Sequence, residues 1–203
     1  MESGYYISDK KLIPLVLDTK PLGKGGQACV YRIVFPIALE NHCVKIYHKG
    51  CSNDLVERLR YMVNHPPKVL RTSAFCICWP KGLVYDKSKT IVGFYMPIAF
   101  SNSRDLYILS YYAKGKTIAD RFRKDTDWFE KYERNTGKGI LNRLKMIANI
   151  SQAFHQIHQS GNYVALDIKP TNILATHTGK ISIVDTDSFQ IADTDRILFP
   201  GAA

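Results

Sequence analysis

The chain has 203 residues, of which 45% are hydrophobic and 23% charged, and its formal net charge is +10. This composition excludes a disordered chain and suffices for one large domain or two small lobes. No run approaches the ~20 apolar residues of a membrane-spanning helix, and the N-terminus lacks the basic start, apolar run and cleavage site of a signal peptide.

Leu15-Val16-Leu17 and Pro21-Leu22-Gly23 lead into a glycine-rich turn, after which Ala28 to Ile33 and Cys43-Val44-Lys45-Ile46-Tyr47 read as strands. The turn, within Leu22-Gly23-Lys24-Gly25-Gly26-Gln27-Ala28-Cys29-Val30-Tyr31, has two readings. Glycines let backbone N–H groups approach phosphates with no Cβ in the way, or they simply close a hairpin. Lys45 alternates with Val44 and Ile46, so its side chain faces away from theirs; taken alone it is a solvent-facing strand lysine. Leu55, Leu59 and Met62 then recur at helical spacing, and His65-Pro66-Pro67 stops that helix. Glu57 on it is either an ion-pair partner for Lys45 or half of an Asp54-x-x-Glu57 capping arrangement. Two more strands, Ala74 to Trp79 and Thr90 to Met96, joined by a turn at Tyr85 to Lys89, complete a lobe of five strands and one helix.

After Met96-Pro97 the character changes. A helix is expected over Leu106 to Tyr112, followed by a basic stretch between 114 and 145 whose lysines and arginines are interrupted by Asp120, Asp125, Asp127, Glu130 and Glu133. Alternating signs favour a solvated surface over a nucleic-acid site. Ile140, Leu141, Leu144, Ile147, Ala148, Ser151, Phe154 and Ile157 mark a long amphipathic helix, ended by Ser160-Gly161. Beyond it, Asn172-Ile173-Leu174-Ala175 and Ile181-Ser182-Ile183-Val184 are short apolar runs around the turn-like Thr176-His177-Thr178-Gly179-Lys180. That hairpin brings Asn172 and Asp185 to one end.

The chemistry concentrates in Asp167-x-Lys169-x-x-Asn172 and the isolated Asp185. A carboxylate to orient a hydroxyl, a cation for a moving phosphate and oxygen ligands for Mg²⁺ are the parts of phosphoryl transfer. Asp-x-Lys-Pro by itself also makes an ordinary turn, since Pro170 and Asn172 are turn formers. Zinc is set aside: His48-x-x-Cys51, Cys76-x-Cys78, and His155 with His158 lack the spacing of a four-ligand site.

With these residues the chain resembles the protein kinases of eukaryotic type, in the form found in bacteria, whose catalytic loop reads H-R-D-x-K-x-x-N and whose metal motif is D-F-G. The resemblance implies an α+β, two-lobed fold: residues 1–97 as a five-stranded N-lobe with one helix, and 98–203 as a partial, mainly helical C-lobe ending in the activation segment. It implies Asp167 as catalytic base, Lys169 as the phosphate-contacting lysine, and Asn172 and Asp185 as ligands for Mg²⁺, with Mn²⁺ as the alternative ion. ATP would be held by Gly23, Gly25, Gly26, Ala28 and Val30 of the covering loop and by Lys45 paired with Glu57. In the hinge at Gly93 to Pro97, Met96 would supply an N–H donor, and Phe94 a carbonyl or a gatekeeping side chain.

Two departures stand out. Ala165 and Leu166 replace His and Arg before Asp167, which removes the usual link to a phosphorylated activation segment, and Asp185-Thr186-Asp187-Ser188-Phe189-Gln190 replaces D-F-G, as in bacterial kinase-like proteins carrying DTDSFQ. Asp187 is either a solvated or capping acid or an added carboxylate near the metal. The expected function is transfer of the ATP γ-phosphate to a protein Ser/Thr hydroxyl, in a cytoplasmic enzyme without a membrane segment. Five cysteines, an odd number, fit reduced thiols in such a compartment. The alternative is a pseudokinase, a nucleotide-binding or protein-interaction module with little turnover.

Overall fold

The computed structural model describes residues 4–7, 12–107, 109, 126–193 and 196–201. The helix expected over Leu106 to Tyr112 and the basic stretch before residue 126 fall largely outside the described residues. Two compact units emerge, the first comprising Met1–Pro66 with Cys78–Ile98, the second Pro67–Ile77 with Ala99–Ala203.

The first unit is a closed barrel of six strands in the order β1-β2-β3-β4-β7-β6. These are β1 (Tyr5–Ile7), β2 (Ile13–Lys24), β3 (Ala28–Phe35), β4 (His42–Tyr47), β6 (Gly82–Asp86) and β7 (Ile91–Pro97). Alternation fills its interior: Leu15, Ile33, Val44 and Val84 are at most 1% exposed, with Tyr31, Ile46 and Tyr95 packed against them. Burying each such aliphatic side chain contributes about 1.5–3 kcal/mol. Gly93 permits a close approach of neighbouring strands, because a Cβ there would stand 1.9 Å from the Lys45 carbonyl oxygen.

Helix α1 (Asn53–Asn64) is capped by Ser52, whose hydroxyl accepts from Leu55 N. The cap is therefore not made by Asp54 and Glu57. Leu59 and Met62 are fully buried, and Trp79 Nε1 donates to Met62 O at 3.0 Å. The helix ends before His65-Pro66-Pro67, as its prolines dictate.

The expected strand pattern of this unit needs correction. Phe75–Ile77 (β5) does not join the barrel but pairs in parallel with β11 (Ile181–Ile183) in the second unit. Phe75, Cys76 and Ile77 are 4%, 0% and 0% exposed, so both faces are covered; a continuous apolar run suits such a strand better than a half-exposed barrel wall. Its place is taken by β6, which starts at Gly82, between the expected strands, and runs into the turn expected at Tyr85 to Lys89. β1, three residues long, is too short to show a period.

The second unit holds a sheet ordered β5-β11-β10-β8, with β8 at Ser103–Asp105 and β10 at Ile173–Thr176, and another ordered β13-β12-β9, with β9 at Tyr163–Val164, β12 at Gln190–Asp193 and β13 at Arg196–Phe199. Helices α2 (Thr126–Lys131) and α3 (Gly137–His158) accompany them. Among the described residues this unit mixes sheet and helix rather than being mainly helical.

Helix α3 starts at Thr136, whose hydroxyl accepts from Gly139 N at 3.0 Å, and Gly161 follows its end at φ +77°. It packs through Asn142, Met146, Ala153 and Ile157. The first half of the apolar stripe that announced the helix lies elsewhere, with Ile140, Leu141, Leu144 and Ile147 about half exposed, at 48%, 50%, 58% and 55%, whereas its last member, Ile157, is fully buried. The packed face contains asparagines because it meets backbone carbonyls. Asn142 Nδ2 donates to Lys131 O and Asn149 Nδ2 to Gly179 O, each at 2.8 Å.

Candidate phosphoryl-transfer site

In the second unit, the β10–β11 hairpin frames the candidate site. Ile173 pairs with Ile183, and Val184 N donates to Asn172 O at 2.9 Å, so Asn172 and Asp185 do emerge at the same end. The turn between the strands is fixed by Thr176, whose hydroxyl accepts from Thr178 N and Lys180 N, and by Gly179 at φ +85°. Tyr132, just past α2 and fully buried, donates its hydroxyl to Thr176 O at 2.6 Å. Burial pushes this phenol up to about 12.

Asp167 precedes a single turn of 3-10 helix, Pro170–Asn172, whose first residue is proline. Lys169 is held extended by that proline. Its ammonium reaches back to Asp167 Oδ2 at 2.6 Å, and Asn172 Nδ2 donates to the same oxygen at 3.0 Å and to Asp167 O at 3.1 Å. The Lys169 hydrogen bond, helped by that of Asn172 and opposed by desolvation, holds the Asp167 carboxyl below the usual carboxylate range. Asp167 therefore stays ionised and oriented. Asn172 is 6% exposed, and with its amide nitrogen committed, its Oδ1 remains an acceptor.

Asp185 adopts a left-handed backbone, φ 56° and ψ 37°, which Asp tolerates better than most residues. A single turn, Thr186–Ser188, follows; Ser188 Oγ donates to Asp185 O at 2.8 Å. Thr186, in the position of the usual Phe, is 1% exposed. An amide oxygen at Asn172 and a carboxylate at Asp185 form a hard oxygen set of the kind Mg²⁺ takes when phosphates and waters complete its shell.

The first unit carries the residues assigned to the nucleotide. Val30 lies opposite Lys45, Lys45 opposite Phe94, and Cys43 opposite Met96, which puts Val30, Lys45, Phe94 and Met96 on one face of the sheet, away from the barrel core. Lys45 Nζ stands 5.6 Å from the Tyr47 ring. Glu57 bonds instead to Arg60 at 3.3 Å, with both side chains more than half exposed, so the structure does not pair it with Lys45. The hinge register also differs from expectation. Ile98 N donates to Asn41 O, and antiparallel alternation then makes Met96–Cys43 and Phe94–Lys45 the bonded pairs. The Met96 N–H thus turns into the ladder rather than outward.

The glycine loop is a tight turn in which Gly25 N donates to Ala28 O at 2.9 Å. His48, just past β4, grips it from one side: its backbone N donates to Gln27 O at 2.9 Å and its Nε2 lies 3.1 Å from Gly25 O. Sequence reasoning gave His48 no part in this loop, since its partner is 23 residues away and no motif marks it.

No protein-family model matches the chain. Its curated relatives include citron Rho-interacting kinase of Rattus norvegicus and that of Mus musculus, each 29% identical over 99 residues, which is 49% of this chain and 4% of theirs. The chain thus spans a small fraction of the length of the curated relatives it matches. Among solved structures, the ROP18 kinase domain in complex with AMP-PNP and sucrose aligns with a TM-score of 0.52 at 17% identity, covering 96% of this chain and 57% of that one. At such identity the likeness speaks for the fold alone: the chain has a protein-kinase-like fold.

Proposed function

We propose that this domain is an ATP- and Mg²⁺-dependent phosphotransferase that moves the γ-phosphate of ATP to a Ser or Thr hydroxyl of a protein. The observation that carries the reading is the Asp167 carboxylate, engaged by Lys169 at 2.6 Å and Asn172 at 3.0 Å, with the Asn172 carbonyl bonded to the residue before Asp185. Asp167 orients the acceptor hydroxyl and takes its proton as the oxygen bonds to phosphorus; the bond to the bridging oxygen breaks, and its electron pair leaves with the nucleoside diphosphate. Lys169 offsets charge on the moving phosphoryl group. Asn172 Oδ1 and Asp185 would hold Mg²⁺, which supplies charge neutralisation across the phosphates. Lys45 positions the α- and β-phosphates, and Gly23, Gly25, Gly26, Ala28 and Val30 cover them. Glu57 supports Lys45 only after leaving Arg60. An adenine-facing donor is to be sought beyond Met96.

A second reading, a binding module without turnover, draws on that Glu57–Arg60 pairing and on Leu166 and Thr186 at positions where the kinase pattern has Arg and Phe. One experiment separates the two: Mg²⁺-ATP titration by calorimetry, coupled to single-turnover transfer to a generic Ser/Thr protein substrate. The enzyme reading expects binding and transfer, with transfer lowered about 10²–10⁴-fold in Asp167→Asn and ATP binding retained. Binding with no transfer in the wild-type chain would establish the module instead.

A further inference from the structure

We propose that His48 is a positioning residue for nucleotide phosphates, acting through the glycine turn that it holds. The inference rests on the nucleotide reading above and adds a residue that this reading does not contain. His48 engages two carbonyls of the turn at once, Gln27 O through its backbone N at 2.9 Å and Gly25 O through Nε2 at 3.1 Å. Because the carbonyl oxygen is an acceptor, Nε2 carries the proton in this contact. In a trans peptide the C=O of one residue and the N–H of the next point to opposite sides. Anchoring Gly25 O on the imidazole therefore aims the Gly26 N–H away from His48. Among the described residues, the amides of Gly26 and Gln27 have no hydrogen-bond partner.

The glycines themselves support a ligand on that side. Neither Gly23 nor Gly26 has a positive φ, and a Cβ built at either meets nothing within 4 Å. The fold thus gives no steric reason for glycine at these two positions. A phosphate lying against the backbone does, since its oxygens reach the N–H groups only where no side chain intervenes. His48 is exposed, and among the described residues its side chain bonds to Gly25 alone. Its imidazole is therefore placed to set the peptide planes of the turn rather than to fill the core.

The test uses the full chain and compares binding of Mg²⁺-ATP with that of adenosine, which lacks phosphates, in wild type, His48→Leu and His48→Gln. His48→Leu should weaken Mg²⁺-ATP about 2–10-fold, the worth of one hydrogen bond, and leave adenosine affinity and melting temperature unchanged. His48→Gln, which keeps an N–H donor, should restore affinity to within about 2-fold. In turnover the loss should appear in KM for ATP more than in kcat. Equal Mg²⁺-ATP affinity in wild type and His48→Leu would overturn the role of His48 while leaving the nucleotide reading standing. An equal loss for adenosine, or no rescue by Gln, would likewise overturn it. If the wild-type chain bound neither compound, the nucleotide reading would fall and this inference with it.

Discussion

Asp167 shows how much of a site can be set within six residues. Its carboxylate is flanked by a lysine two positions on and an asparagine five positions on, and a proline between them fixes the backbone that lets both turn back. Such a cluster is legible in sequence because spacing alone nearly dictates it. Glu57 and Met96 were less legible, since their roles depended on rotamer and ladder register, which spacing does not determine. The Asp167 arrangement carries a pH consequence. The folded carboxyl titrates below its unfolded value, so the stability it contributes is fully present above the unfolded range near pH ~4 and is lost as pH falls through the depressed folded value. Lys169→Met should raise the Asp167 titration toward the ordinary range and reduce that acid-side contribution, leaving the share of Asn172. Carboxyl-carbon NMR titration of the two chains measures it; an unmoved Asp167 would mean that the Lys169 contact does not persist in solution.

Among the elements, the packed face of α3 and the partner of β5 differ from the sequence pattern for one reason. Periodicity reports where apolar residues fall along a chain and says nothing about which surface another element will cover. In α3 the covered side needs asparagines, because Lys131 O and Gly179 O must be satisfied there. The exposed stripe then has a testable consequence. Leu144→Lys with Ile147→Glu should leave the melting temperature nearly unchanged, within about 0.5 kcal/mol per site. Differential scanning calorimetry decides, and a loss of several degrees would place that stripe in contact with the rest of the unit. The hairpin that carries Asn172 and Asp185 was, by contrast, readable throughout, because its two apolar runs and Gly-containing turn are contiguous.

Over the whole molecule, the chain passes between the two units three times, after Pro66, after Ile77 and after Ile98. A sequence reading with a single boundary sees one passage, because the excursion through Pro67–Ile77 is signalled only by a strand whose partner is remote. Charge also acts at this scale. With a net charge of +10, and on the function proposed, association with the anionic nucleotide should slow as ionic strength rises from about 0.05 M to about 0.5 M, where the Debye length shrinks to a few ångströms. Stopped-flow binding of a fluorescent ATP analogue gives the rate. A salt-independent rate would place the excess charge away from the path of the nucleotide.

The pairing of β5 with β11 has a further bearing on how the protein comes to exist in a cell. Phe75 to Ile77 leave the ribosome roughly a hundred residues before Ile181 to Ile183, an interval of about 5–20 s at ordinary elongation rates. Until then a run containing Phe75, Cys76, Ile77, Cys78 and Trp79 has no strand to complete it and stays open to the wrong partner. The nascent chain is thus most vulnerable before the β10–β11 hairpin is made, and chaperone capture during synthesis should concentrate on that short segment.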